Sequence, residues 1–514
     1  MKKKKVLIIV MISVLLILSI VGISYALWTL NLTQTGENDI ASTCFNISFT
    51  EKDNISLQKS YPLYDEDGKK LTPYEFTVTN NCDSYASFSI NLEVLNTTTL
   101  TNNDAIKVMF SKKEDNVENE LKLDLLSTYE VASKTLNNAT SAFKLTDGYL
   151  DAKESRTYDL RIWLDENVTT ETVNIQNTTF NSKVVVTASY VKEIPYATNV
   201  ISKLAKDADS SSTDVYTAPD KTSDTCTYTL AYDGTSDNNL RYVGANPCNY
   251  VTFNGEEAGW RIIGLLNTPE GQRLKLIHAS SIGNYSWDNK PSGTGSSTSE
   301  YGSNDWTNSE LKEVLNNGAY YNRTTGICPS GSNGTTASCD FTSNGLTEET
   351  KKQIDKITWN LSGNIDYMSE EKGLASSWYE YERGNNVFTG NSISWQGKVG
   401  LVYPSDFGYA TSGGSEKNRD ICLNTSIYKW YDQQIEDCKN NDWLYKNTET
   451  LWTITGTVDA NNGITVITGF GYVLYISYAS SFDRSVYPSV YLLENIKIIN
   501  GEGTKENPYE LSVQ

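Results

Sequence analysis

A single histidine stands among 514 residues, at position 278, so imidazole chemistry has one place to happen. Period-two alternation sets His278 on the strand face that carries Leu274 and Leu276, where a packed or hydrogen-bonded ring is expected. No Gly-x-Ser-x-Gly, HExxH, P-loop or Gly-x-Gly-x-x-Gly motif accompanies it. Carboxylate-based glycoside hydrolysis needs only two Asp or Glu on facing loops. Asp406, between Ser405 and Phe407, and Asp442, beside Trp443, are the candidates, each with turn or helix capping as its structural alternative. Two triplets, Asn304, Asp305, Trp306 and Asn441, Asp442, Trp443, offer oxygen ligands of the kind that suit a hard cation. The Glu-Pro-Asn partner that would complete such a centre occurs only permuted, as Glu506, Asn507, Pro508, so capping is expected, with no metal and no cofactor. Aromatic faces give a metal-free route to sugars, whose C–H groups stack on Trp and Tyr. Trp378, Tyr379, Tyr381 and Trp395, together with Tyr428, Trp430 and Tyr431, lie in polar surroundings that fit such a platform. The competing expectation is that these rings cover the core.

The elements that must hold these residues are mostly strands. From about Leu27 to Lys192 short alternating segments recur, at 44–49, 74–79, 86–95, 106–110, 158–164 and 183–190. In one of them Phe88, Ile90, Leu92 and Val94 form an apolar face and Ser89, Asn91 and Glu93 a polar one, the pattern of a half-buried antiparallel strand. Asp65, Glu66, Asp67 and Gly68 predict a hairpin turn, since they lack the further ligands of a calcium loop. Residues 27–192 therefore predict a β-sandwich or jelly roll. The Ser, Asp, Lys and Ala composition of 193–225 predicts a linker, with a short helix over 197–208 and an exposed stretch over 207–214. Nine of the eleven tryptophans lie beyond that point.

Residues 226–514 mix strands with a few helices and predict an α+β domain with long loops. Strands are expected at 260–265 and 273–278 around the turn Pro269, Glu270, Gly271, and at 399–403, 451–455, 464–468, 472–477 and 490–493. Thr307 with Glu310, and Thr347 ahead of Glu348 and Glu349, read as helix N-termini.

The N-terminus gives an address. Lys2 to Lys5 precede an apolar run from Val6 to Ala26 that closes on Ser24, Tyr25, Ala26. A charged start, an apolar stretch and small residues at the −3 and −1 positions form an export signal with cleavage after Ala26. About 20 apolar residues also suffice for an uncleaved anchor, which would be the chain's sole membrane contact. Either way the remainder works outside the membrane, extracellularly. Eight cysteines, an even number in an oxidising compartment with no CxxC pair, predict disulfides in sequence order: Cys44–Cys82, Cys226–Cys248, Cys328–Cys339 and Cys422–Cys438, one of about 105 pairings. With 43 basic against 63 acidic residues the formal charge is −20, which repels phosphate backbones and excludes nucleic acid as a partner.

The signal end Ser24 to Trp28 and the "FTVTNN" strand at 76–81 resemble the secreted TasA and camelysin group of Gram-positive surface proteins. That resemblance implies a jelly-roll subunit, and self-assembly in which an N-terminal strand inserts into a neighbour's sheet. The chain departs from the group by its large C-terminal region and by the expected Cys44–Cys82 bridge. The C-terminal region, through "DNNLRYVGANPCNYVTFNGE" at 237–256, "WRIIGL" at 260–265, "LVYPSDFGYA" at 401–410, "NNDWLY" at 440–445 and "YPSVYLLENIKIINGEGTKENPYEL" at 487–511, resembles an uncharacterised extracellular domain family of gut Firmicutes. Its Trp-rich core and irregular loops are similar to the C-type-lectin and formylglycine-generating superfold. The implied protein is a cell-surface or secreted, non-enzymatic adhesin that binds a glycan or protein ligand. A matrix or fibre subunit is the structural rival, and a carbohydrate-active hydrolase the enzymatic one.

Overall fold

Two sheets built from the alternating segments face one another in the N-terminal part. In the computed structural model, residues 29–33, 45–49, 55–56 and 61–513 are described, except 115–116, 169–177, 192, 291–301, 333, 365, 367, 415–417, 478 and 480–482. The export signal with Ala26, and Cys44 with its expected bridge to Cys82, lie outside the described residues. Among the described residues no helix is long and apolar enough to cross a membrane. The chain divides into two compact units, residues 1–194 with 499–501, and residues 195–498 with 502–514.

In the first unit one sheet runs Thr29–Thr33, Asn181–Val191, Tyr85–Leu95, Ala139–Leu150, all antiparallel. The other runs Phe45–Phe49, Tyr74–Asn80, Ser155–Asp165, Ile106–Glu114, Val117–Leu125. Their inner faces share a core in which Phe76, Phe88 and Phe110 surround Tyr158, with Phe110 and Tyr158 stacked at 5.2 Å. This is a sandwich-like pair of sheets.

Two local expectations are corrected here. The strand Tyr85–Leu95 is not half-buried: Asn91 and Glu93, placed on the solvent face by alternation, are buried as well. The segment at 135–136 covers Glu93, whose carboxylate accepts the Thr135 and Leu136 amides at 2.6 and 2.8 Å, so burial is compensated by two charge-assisted hydrogen bonds. The acidic cluster at 65–68 is a single helical turn, Asp65–Gly68, and not a hairpin turn. Gly68 lies against the Trp163 indole, where a Cβ would meet the ring at 2.2 Å, so the missing side chain is what lets that turn seat on the buried tryptophan.

In the second unit Glu256–Thr268 and Gly271–His278 form a long hairpin around the Pro269, Glu270, Gly271 turn, paired from Trp260↔His278 to Thr268↔Gly271 with a register shift between Ile262 and Gly264. Thr229–Tyr232, Leu240–Tyr242, Tyr250–Phe253 and Tyr509–Val513 extend this sheet on one side, and Ser489–Tyr491 with Val399–Gly400 on the other. A second sheet runs Asn284–Tyr285, Arg484–Ser485, Leu451–Gly456, Gly463–Ile467, Val473–Ser477. Short helices and clipped hairpins fill the rest, so the whole is a mainly β, multi-sheet protein.

The stretch 193–225 does not run free along its whole length. Its helix, Ala197–Leu204, buries Ala197 and Ile201 in the core of this unit, while most of 207–214 stays exposed. Thr347 accepts the Thr350 amide ahead of Glu348–Gln353 as expected. The Thr307 cap is displaced by two residues: Ser309 caps Glu310–Asn316, because Asp305 already caps the 3-10 turn Trp306–Asn308.

Candidate functional site

Burial sorts the sequence-named aromatics into two kinds. Trp378 and Tyr379, on the helix Ala375–Glu382, and Trp430 are core residues. Tyr379 donates its hydroxyl to Asp237 and lies under the Arg383 guanidinium at 3.4 Å, and Trp430 packs on Phe407 at 5.4 Å. Tyr381 and Trp395 are half-buried, and Tyr431 is 51 % exposed. The platform expected from sequence is therefore not one surface. Trp and Tyr in polar stretches bury whenever a helix or turn rotates them inward, and spacing alone does not reveal that rotation.

Around Tyr431 the structure gathers an open ring cluster. Tyr428 and Tyr431 come from the 3-10 helix Ile427–Tyr431, where three residues per turn align positions i and i+3 on one edge. Ile427 and Trp430, fully buried, anchor the opposite edge. Tyr472 stands 5.1 Å from Tyr431 and 5.7 Å from Tyr428, and Phe470, 71 % exposed, stacks on Tyr472 at 6.5 Å. The turn between Gly463–Ile467 and Val473–Ser477 supplies the last two rings. It closes through Gly471 N to Thr468 O at 2.9 Å, with Gly471 in the left-handed region at φ +81°. The Cys422–Cys438 disulfide brackets the tyrosine-bearing segment. Packing raises the Tyr472 phenol above its ordinary value, first by burial and then through Tyr428 and Tyr431. Phe470 and Tyr472 carried no sequence signal of their own, since only the turn joins them to Tyr428 and Tyr431.

The carboxylate candidates are enclosed. Asp406 is 1 % exposed between Lys275 Nζ at 2.5 Å and Arg241 Nη1 at 2.9 Å, and accepts the Tyr403 amide at 3.0 Å. Arg241 in turn holds buried Asp233 at 2.9 Å. Burial would raise the Asp406 carboxyl, but Lys275 and Arg241 overcome it and hold the group at about 2. Asp442 is buried too. Its Oδ1 accepts the Leu444 amide at 2.8 Å, its Oδ2 has no hydrogen-bond partner among the described residues, and burial pushes the carboxyl well above its ordinary value. Asn304 donates to three backbone carbonyls, of Thr457, Ala460 and Gly463, and Asp305 accepts the Thr307 amide. Among the described residues no group of three or more His, Cys, Asp or Glu side chains could hold a metal ion. His278 is buried edge-on to Trp260 at 5.0 Å, with Nε2 2.8 Å from Glu256 and Nδ1 2.7 Å from the Ser280 carbonyl.

Among the described residues three disulfides are formed, Cys226–Cys248, Cys328–Cys339 and Cys422–Cys438, each closing a short loop and each fitting an oxidising compartment. Fold and site together define a mainly β, disulfide-clipped protein whose second unit presents an open aromatic cluster. No protein-family model matches the chain, and no curated protein does. Among solved structures, the infectious bursal disease virus VP2 subviral particle is similar at a TM-score of 0.14 and 8 % identity, over 32 % of this chain and 32 % of that one, a likeness too slight to carry an argument.

Proposed function

We propose that this is an exported, cell-surface or secreted bacterial protein whose C-terminal, lectin-like unit recognises a saccharide ligand. The observation that carries the reading is the ring cluster of Tyr428, Tyr431, Phe470 and Tyr472, in which Tyr431 and Phe470 are exposed and Tyr428 and Tyr472 half-buried. Large aromatic side chains normally bury, so four of them gathered at a surface, two on a segment bracketed by a disulfide and two on a strand turn, form the kind of face that stacks on a sugar ring. The N-terminal unit, read as a jelly roll of the TasA and camelysin type, then serves as stalk. Purified disulfide-intact protein is expected to retain specific saccharides on a glycan array, and the double variant Tyr431→Ala/Phe470→Ala to lose them by about tenfold or more while unfolding at the same temperature. Equal retention by variant and wild type would remove the reading, as would binding only to protein ligands.

A second reading, self-assembly by strand exchange, has one observation in its favour. Thr29–Thr33 is the outermost strand of its sheet and pairs with Asn181–Val191 from Thr29↔Ser189 to Thr33↔Val185, so its departure would open an edge that a neighbour's strand could fill. Light scattering should then show assemblies that vanish on deleting residues 27–33. Monomers at all concentrations would count against it.

A further inference from the structure

A pocket of about 310 Å³ lies in the second unit, lined by Lys312, Asn316, Asn317, Tyr321, Lys356, Trp395, Gln396, Gly397 and Lys398. Its charge is opposite to that of the chain. Three lysines and no carboxylate line it, whereas the whole sequence carries 43 basic against 63 acidic residues. Two neighbouring acids are engaged by cations outside the pocket, and a third, Glu313, by the pocket's own Lys312. Asp355 is held by Arg273 at 2.8 Å, Glu348 by Lys351 at 2.6 Å, and Glu313, exposed, lies 3.6 Å from Lys312.

The walls are fixed before any ligand arrives. The Asn316 side chain donates to the Val399 carbonyl at 2.8 Å and accepts the Val399 amide at 3.0 Å, which ties the helix Glu310–Asn316 to a strand edge. Trp395 comes from the two-stranded antiparallel sheet of Ile357–Asn360 with Ser394–Gly397 and meets Trp306 edge-on at 6.1 Å. Its indole lies over Gly397, where any Cβ would be 1.9 Å from the ring. Tyr321 is held under Lys351 at 4.5 Å. Lys398 donates to the Lys351 carbonyl, and burial followed by the Lys351 charge lowers its amine, against the pull of Asp355.

We infer that this pocket binds an anionic pyranose, a sugar ring bearing a carboxylate or a sulfate, with its C–H face against Trp395 and its charged group among Lys312, Lys356 and Lys398. The half-buried indole supplies the stacking face and the lysines the point charges, while the Gln396 amide suits a ring hydroxyl. At physiological salt a charge is screened beyond about 8 Å, so the local lysines govern a group seated in the pocket. An extended nucleic acid would instead meet a chain whose net charge is −20. This site is separate in residues and in ligand charge from the tyrosine cluster, and stands whether or not that cluster binds sugar.

Calorimetric titration of the disulfide-intact protein tests it, with a galacturonate trisaccharide, a heparin-derived sulfated disaccharide and a neutral cellotriose. At least one acidic sugar is expected to bind about tenfold or more tightly than cellotriose, and to weaken as salt is raised. The two acidic arms tell carboxylate from sulfate. Lys356→Glu, at an exposed position that leaves the core untouched, is expected to weaken acidic-sugar binding by about tenfold. The same variant should leave array binding at the tyrosine cluster unchanged, which separates failure here from failure there. Acidic and neutral sugars binding alike, unaltered affinity in both Lys356→Glu and Lys398→Gln, or inorganic sulfate competing as well as the sugars, would each overturn the inference.

Discussion

Replacing Asp406 by Asn should cost about 3 to 5 kcal/mol of folding stability, the range for breaking one side of a buried ion pair. Lys275 is wholly buried, and its ammonium has the Asp406 carboxylate at 2.5 Å as its charged partner, with the rings of Tyr403, Tyr491 and Trp359 making up its surroundings at 4.3 to 5.3 Å. Without the carboxylate that charge is stranded in an aromatic box, whereas Arg241 keeps Asp233. Denaturant unfolding of Asp406→Asn reads the cost. The double variant Lys275→Met/Asp406→Leu should recover most of it, because removing both charges leaves neither to desolvate. A single variant within about 1 kcal/mol of the wild type would mean that the network is not the keystone its burial indicates.

Stability should also fall as pH rises from about 4.5 to about 7, through Glu382. This carboxyl is fully buried on the helix Ala375–Glu382, where burial raises it to about 7 against the opposing pull of Arg383 at 3.2 Å and of the Ser405 amide at 2.9 Å. Because the folded state then holds a proton that the unfolded chain has released, stability declines with pH across that interval and levels off above it. The interval from 4.5 to about 7 corresponds to about 3 kcal/mol. Asp406 acts in the other direction: its stabilisation is present above 3.8 and is lost as pH falls toward about 2. Together the two carboxyls place the stability maximum between about pH 4 and about pH 5. Glu382→Gln should lessen the decline toward pH 7, with the part due to other raised carboxyls such as Asp442 remaining, while leaving the loss below pH 3.8 intact. A variant whose profile matches the wild type would contradict the assignment.

Much of the scaffold was legible in the sequence. Period-two patterning located Tyr74–Asn80, Ser155–Asp165 and Gly271–His278 within a few residues, and oxidising cysteine usage led to sequential pairing of Cys226, Cys248, Cys328, Cys339, Cys422 and Cys438. What escaped depends on contacts between distant segments. Glu93 looked solvent-facing because the backbone amides at 135–136 that bury it lie more than forty positions along the chain. Asp406 looked like a loop acid, because its partners Lys275 and Arg241 sit 131 and 165 positions away on strands of the central sheet. The site divided in the same manner. Tyr428 and Tyr431 were nameable, with Trp430, from their polar surroundings, but Phe470 and Tyr472 join them only through the turn at Gly471. Lys312, Lys356 and Lys398 come from three separate elements with no local pattern to unite them.

The central claim is that the tyrosine cluster is the recognition face, and fluorine NMR on protein labelled with 3-fluorotyrosine tests it most directly. Resonances of residues 431 and 472 can be assigned through Tyr431→Phe and Tyr472→Phe, then followed while a neutral saccharide retained on the array is titrated in. Both are expected to shift in saturable proportion to binding, with resonances of buried tyrosines such as Tyr158 and Tyr242 unmoved. Binding that saturates while 431 and 472 stay fixed would contradict the claim.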